Sequence, residues 1–431
     1  MTKSKFNILE NGYYQQSREA IHGEIDLGFW DIDETISELA YLTHDYFRYY
    51  GKFPSKVPKN IIEDLLERNE INIDKDFILD NYAGSGTSLV EAKLHEFNSV
   101  GLDINPFAVL ACNVKTYNFD VDQLSEVLNE VLTNFNLISN NNLENIEKQI
   151  DELELKYKDL TKWFIYKNIK DLVILKGIIY NIDSREMRDF FKLAYFAIVR
   201  RVSTAYDGEV RPHVNPKKRV RDVISAFEKK ATEMIQTMVL WNNETNRNIS
   251  SKTYLCSNID NEKIEDIISN YSQQVNKELG LVISHPPYLN CFDYIPVYKL
   301  KFMWANDNDE IYHGKTYAEI KKMETKSYPA RTEKLINTYF EKHKQCYEIM
   351  YNNLRDGGYC CIVIGDCTVD KNLFSVHKVF LDMCQEIGFT IDKVIYRSTH
   401  YGLGRYAYSH RAEYNPSEEN EKKDAIIFLK K

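Results

Sequence analysis

The chain has 431 residues, 43% of them hydrophobic and 28% charged, with a formal net charge of −9. This describes an ordinary soluble chain with room for two or three domains, and the acidic balance argues against a wholly basic nucleic-acid binder while leaving room for a local basic face. No run approaches the apolar length of a membrane span and the Met1–Phe6 start lacks a signal-peptide core, so a cytoplasmic protein is expected; eight cysteines without a C-x-x-C pair suggest reduced core or pocket-lining residues, with neither a metal site nor a disulfide framework.

Residues 1 to 40 carry few signals beyond a possible short helix from Glu34. Thr43 to Pro54 is an aromatic-dense loop ahead of an amphipathic helix, Lys59 to Arg68; its aromatics either pack under that helix or form a lid over a planar ligand. Phe77–Asp80 reads as a buried strand, Asn81–Thr87 as a tight glycine turn and Ser88–His95 as the following helix. Ser99–Asp103 is a second strand ending in a carboxylate, followed by Ile104, Asn105, Pro106 and a new helix. Strand, glycine turn, helix, strand and acid form the first half of a nucleotide-binding α/β unit. Gly84 and Gly86 let backbone N–H groups approach a ligand, and Asp103 lies about twenty residues beyond the turn, where an acid meets ribose hydroxyls. The turn, from Asp80 through Ala83 to Thr87, is neither a full dinucleotide fingerprint nor a Walker loop. A ligand with a ribose and no phosphate fits it better, and S-adenosylmethionine is the expected one; the alternative is a purely structural turn.

From about Asp120 to Asn248 helical periodicity dominates, in Val121–Leu137, Leu143–Tyr157, Leu172–Ile179 and Glu186–Arg201, as expected of a helical insertion in the α/β frame. Near its end, the loop from Asp207 to Arg221 and its approach carry Arg200, Arg201, Arg211, Lys217, Lys218, Arg219 and Arg221. Such a loop is either a solvated connection or a segment that tracks phosphates.

The frame resumes with strand Lys252–Cys256, helix Lys263–Gln273 and the apolar run Leu281–Ser284, which ends abruptly in His285, Pro286, Pro287 and Tyr288. Two prolines lock this tip into extended backbone rich in carbonyl acceptors and poor in donors, which suits a substrate that donates hydrogen bonds. An exocyclic amine of a nucleobase is such a substrate, and Tyr288 could stack on the base; the bland alternative is a plain loop start. Asp293–Trp304 is an aromatic-rich helix or loop. A helix from about Thr332 to Leu354, the strand Tyr359–Ile364, the helix Ser375–Ile387, the strand Thr390–Tyr396, a polar loop and the strand Asp424–Leu429 complete the chain. Asp366 reads as capping a turn in preference to catalysis.

Asp80–Ala92 resembles motif I of amino-methylating DNA methyltransferases, where Asp-Pro-Phe-Ala-Gly-Ser-Gly-Thr is usual; Ser284–Tyr288 falls at their motif IV, and Gly51–Pro54 resembles their motif X. The resemblance covers both sides of the insertion. It implies an α/β fold, a Rossmann-like methyltransferase sheet with a large helical insertion. It implies domain parts at 1–119, 120–250 and 251–431, the middle one being the candidate target-recognition region. It also implies S-adenosylmethionine bound by Lys52, Phe53, Asp80, Ala83, Gly84, Gly86, Thr87, Asp103, Ile104 and Ser284, double-stranded DNA as partner, and a possible restriction endonuclease partner. Leu289–Asn290, Asp293–Tyr294 and Ile364–Asp366 are similar to the cytosine-N4 branch. Two positions depart from the pattern: Asn81 replaces the usual proline, and His285 replaces the Ser, Asn or Asp that begins the catalytic motif. The implied chemistry is direct methyl transfer to the amine of a flipped base, with the Pro286 carbonyl and neutral His285 as acceptors and Tyr288 stacking on the base. Adenine-N6 methylation and a non-catalytic nucleic-acid-binding subunit are the alternatives.

Overall fold

The computed structural model describes residues 26–30, 32, 34, 35, 37–141, 144–305, 309–369, 372–397 and 424–431. Its centre is an eight-stranded sheet made of β1 (Asp26–Trp30), β2 (Asp76–Asp80), β3 (Ser99–Asp103), β4 (Ser251–Leu255), β5 (Glu278–Ser284), β6 (Tyr359–Gly365), β9 (Thr390–Arg397) and β10 (Asp424–Lys430). Two short strands, β7 (Cys367–Val369) and β8 (Asn372–Phe374), form a separate antiparallel hairpin. The sheet order is β1-β9-β10-β6-β5-β2-β3-β4, and every pairing is parallel except the two that β10 makes.

Parallel strands covered on both faces read as apolar runs, and the middles of β2 (Phe77–Leu79), β5 (Leu279–Ile283) and β6 (Tyr359–Ile364) do. Side chains alternate between the two faces: Phe77, Leu79, Val282, Cys360 and Ile362 join one core cluster, while Ile78, Leu281, Ile283, Cys361 and Val363 join another. Helices Asn261–Val275, Glu333–Asn353 and Val376–Ile387 cover the first face, and helix Lys56–Glu67 the second.

Between β3 and β4 the chain runs through helix Pro106–Thr116 and then helices Val121–Asn141, Glu144–Lys156, Tyr166–Tyr180, Arg185–Ile198 and Val223–Glu244. Their apolar stripes share one cluster with Phe107 of the preceding helix. Trp241 closes the return by donating its indole N–H to the Tyr117 carbonyl at 3.1 Å. Tyr298, Phe302, Trp304 and Ile311, from beyond the Pro-Pro tip, belong to the same cluster, so a stretch placed by sequence in the 251–431 part packs on the insertion.

Three elements differ from the sequence expectation. The possible helix from Glu34 is two 3-10 turns, Glu38–Ala40 and Leu42–Asp45, the second running into the aromatic loop. Strand β1 went unread because it is five residues long at the sheet edge, and its Gly28 lies against Ile395 of β9. The β7–β8 hairpin is too short to show a period. The polar loop expected before the last strand falls at 398–423, outside the described residues. Among the described residues, no helix is long and apolar enough to cross a membrane.

Candidate functional site

Strand β2 pairs with β3 on one side and β5 on the other, so the chain order reverses around it, and in open α/β sheets ligands bind beyond the carboxyl ends of strands at such a point. The pairing of Asp80 with Ile283 brings the glycine turn and the Pro-Pro tip side by side. Gly84 and Gly86 hold φ of 53° and 75°, and a Cβ on Gly86 would stand 3.0 Å from Cys112 Sγ. The turn is tied to its surroundings by Ala83 N–H to the Leu102 carbonyl at 3.0 Å and by Lys115 Nζ to the Ser85 carbonyl at 2.6 Å.

Asp103 ends β3 with both oxygens engaged: Oδ2 accepts from Gly84 N–H at 2.7 Å and Oδ1 from Asn105 N–H at 2.7 Å. Burial pushes its carboxyl up to about 7, against the pull of those N–H bonds. A carboxylate has about four acceptor positions, so it can still take a ligand hydroxyl. Asp80 is raised to about 6, again mainly by burial, and accepts from Tyr82 N–H at 3.0 Å.

The turn, Asp103 and the tip line one cleft, about 910 Å³ of open space including its mouth. Of the expected cofactor residues, Lys52, Phe53, Ala83, Gly84, Thr87, Asp103 and Ile104 line it, and so do His285 and Pro287 of the tip. Asp80, Gly86, Ser284, Pro286 and Tyr288 do not. Asp80 is buried beneath the turn, Gly86 packs on Cys112, and Ser284 Oγ hydrogen-bonds Tyr347 Oη at 2.8 Å. Pro286 is buried.

Tyr288 is buried with its ring against Gly365, where a Cβ would come within 2.5 Å of Cε2. Its hydroxyl donates to Asp424 Oδ1 at 2.8 Å, and Asp424 pairs with Arg397 at 2.9 Å. The His285 ring is edge-on to Phe53 at 4.6 Å and to Tyr288 at 5.2 Å, with Nε2 3.3 Å from Tyr288 Oη. The Pro287 carbonyl accepts from Tyr339 Oη at 2.7 Å.

Sequence reasoning missed Ser257, Asn258 and Ile259, which follow β4; the rule that strand tips face the site would have found them. It also missed Tyr294 and Met323–Thr325, the latter carrying no sequence signal. Tyr49, from the aromatic loop, stacks on Tyr294 at 6.3 Å, and Gly51 admits the Tyr294 hydroxyl, 2.8 Å from where a Cβ would be. Glu324 Oε1 caps the Tyr294 and Ile295 N–H groups. Two buried polar atoms on the cavity wall, Ser85 Oγ and Asn258 Oδ1, have no hydrogen-bond partner, which fits a wall built for a polar ligand.

Asn81 points away from the cavity and donates to Cys346 Sγ at 3.2 Å, so its replacement of proline is a packing matter. Asp366 accepts from His377 Nδ1 at 2.7 Å and from its backbone N–H at 3.3 Å, a capping role.

In the basic loop, Arg211, Lys217, Arg219 and Arg221 are exposed. Lys218 turns inward, donating to the carbonyls of Arg200 and Ala205 and pairing with Asp207 at 2.8 Å. Its side chain, 8% exposed, holds the loop together and leaves no ammonium facing outward for a phosphate.

With this geometry in place, residues 3–113 match a family model for N6/N4 enzymes described as DNA methylase. The chain is 31% identical over 196 residues to the Type II methyltransferase M.MjaII of Methanocaldococcus jannaschii, covering 44% of this chain and 35% of that one. It is 24% identical over 277 residues to the Type II methyltransferase M.MvaI of Kocuria varians, covering 57% and 53%. The matches thus span a third to a half of these relatives' length. A solved rRNA methyltransferase, aviRa from Streptomyces viridochromogenes, aligns over 93% of this chain and 94% of its own at 8% identity with a TM-score of 0.34.

Proposed function

We propose, on the premise that this chain is kin to the amino-methylating DNA methyltransferases, that it transfers a methyl group from S-adenosylmethionine to the exocyclic amine of a base flipped out of DNA, cytosine N4 first. The observation that carries the reading is the single cavity shared by Asp103 with the glycine turn and by His285 with Pro287.

In this reading Asp103 accepts ribose hydroxyls through its remaining lone pairs, the turn from Ala83 to Ser85 lets the cofactor approach the backbone, and Tyr49 with Ile104 and Asn258 walls the slot. The cofactor, when bound, supplies an electrophilic methyl group. The target amine is a poor nucleophile because its lone pair is delocalised into the ring. His285, on the cavity wall, accepts a hydrogen of the amine and orients its lone pair, while Pro286, expected from the sequence as the other acceptor, is buried behind that wall. Phe53 holds the His285 ring edge-on, which preorganises that acceptor. Tyr288, fixed by Asp424 and Gly365 and off the cavity wall, sets the position of the tip in place of the stacking role expected from the sequence.

Incubating the purified chain with methyl-labelled S-adenosylmethionine and unmodified genomic DNA, with RNA in parallel, tests this. Label in the DNA supports it. Cofactor binding without label in DNA leaves the non-catalytic subunit, a reading favoured by the unusual His285.

A further inference from the structure

A second, larger cavity, about 2010 Å³ of open space, lies across the Tyr49–Phe53 segment from the candidate active site; Tyr49, Gly51, Lys52, Phe53 and Thr87 line both. It is formed where the aromatic loop meets the insertion. Arg48, Arg201 and Arg221 line it from exposed positions, Lys52 and Arg200 are half-buried, and Lys230 and Lys301 lie buried. Against these seven cations the lining offers two carboxylates, Asp45 and Asp207, and Asp207 is already paired with Lys218.

The inner cations are held by neutral acceptors. Lys301 Nζ donates to the Phe196 carbonyl at 2.9 Å and Lys230 Nζ to the Asp45 carbonyl at 3.0 Å. Arg200 donates to Tyr50 Oη at 2.7 Å and to the carbonyls of Tyr206 and Val210. Like charges converging on a partly desolvated space repel one another, and an anion there would remove the repulsion. In keeping with this, burial and the neighbouring Arg200, Arg48 and Arg201 bring the Lys301 ammonium down to about 7.

We propose that this cavity takes consecutive phosphates of a nucleic-acid strand, a site separate from the cofactor cavity and sharing only one wall with it. The claim rests on the nucleic-acid part of the reading above and not on methyl transfer. A strand fits better than a single small anion for two reasons. The cations run from the exposed mouth to the buried floor, and the mouth continues into the loop carrying Arg211, Lys217 and Arg219, which Arg200 ties to the cavity through the Tyr206 and Val210 carbonyls. The loop singled out in the sequence is then the outer lip of the site, whose inner part comes from Arg48 and Arg201.

The test measures binding of a labelled mixed-sequence single-stranded 12-mer, and of inorganic tripolyphosphate, to the full chain across a salt series. The proteins are the wild type, Arg48→Gln/Arg201→Gln and, for the outer lip, Lys217→Gln/Arg219→Gln. Losing two phosphate contacts should weaken the 12-mer roughly tenfold and flatten the log–log salt slope by about 1.4 in the Arg48/Arg201 pair, with tripolyphosphate weakened too. If the pair melts early, Arg201→Gln alone, expected to remove about half of the slope change, serves instead. Oligonucleotide affinity and slope unchanged in the pair but reduced in the lip variant would overturn the cavity assignment while leaving DNA binding intact. Tripolyphosphate binding lost in the pair, without any 12-mer binding by the wild type, would overturn the strand and the DNA reading together.

Discussion

Asp103 and Gly84 are joined by a 2.7 Å hydrogen bond from the Gly84 N–H to Oδ2, so the acid that ends β3 also holds the glycine turn open beside it. One residue therefore shapes the cavity and offers the hydroxyl-accepting edge. Asp103→Ala should weaken S-adenosylmethionine binding by about 1 to 3 kcal/mol, read by calorimetry. Unchanged affinity would move the cofactor away from β3.

The same carboxyl gives a pH signature. Burial raises Asp103 to about 7, so in the cofactor-free protein it gains a proton as pH falls through that value. An ionised carboxylate is the stronger acceptor, so cofactor affinity should fall as pH drops below about 7. Stability has the opposite sign: with the folded value above the unfolded one, the ionised form is disfavoured by folding, and stability contributed by this group is lost as pH rises from about 4 through about 7. Asp103→Asn should flatten both the cofactor pH profile and the pH dependence of the free protein's melting temperature around neutrality, at the cost of one of the two N–H bonds that Asp103 accepts. A parallel profile in the variant would assign the pH dependence to another group.

Gly365 and Tyr288 supply a test without touching the cavity. A Cβ at Gly365 would lie 2.5 Å from the Tyr288 ring, so Gly365→Ala must displace the ring and the tip behind it. Methyl transfer should fall at least about tenfold with cofactor affinity unchanged. Equal loss of both would mean that the substitution disturbs the whole sheet edge.

Tyr288→Phe keeps the ring and removes the donor to buried Asp424. Stability should drop by about 1 to 3 kcal/mol in urea denaturation, since Asp424 keeps Arg397 but loses one hydrogen bond. Transfer should survive better than in Tyr288→Ala, which removes ring and donor together. Equal transfer in the two variants would show that the ring plays no part.

The α/β frame was legible because its strands are short apolar runs punctuated by glycine, proline or an acid, and Phe77–Asp80, Ser99–Asp103 and Tyr359–Ile364 sit within a residue of their observed bounds. Of the site, the glycine turn, Asp103, Lys52 with Phe53 and His285 were legible because a local motif carries each. Tyr294, Glu324 and Asn258 were not, since they reach the cavity only through tertiary packing. Lys218 looked like its basic neighbours in sequence, yet the carbonyls of Arg200 and Ala205 draw it inward. Tyr288 looked like a free stacking platform, and only the β10 pairing that delivers Asp424 shows that its hydroxyl is occupied.

The most direct measurement is nucleoside mass spectrometry of unmodified DNA after incubation with the wild-type chain and isotopically methyl-labelled S-adenosylmethionine, with His285→Ser alongside. The site described here predicts the label on an exocyclic nitrogen, as N4-methylcytosine in the first place or N6-methyladenine, with the same base modified by the Ser variant. Label on a ring carbon, or none from either protein although both bind the cofactor, would contradict it.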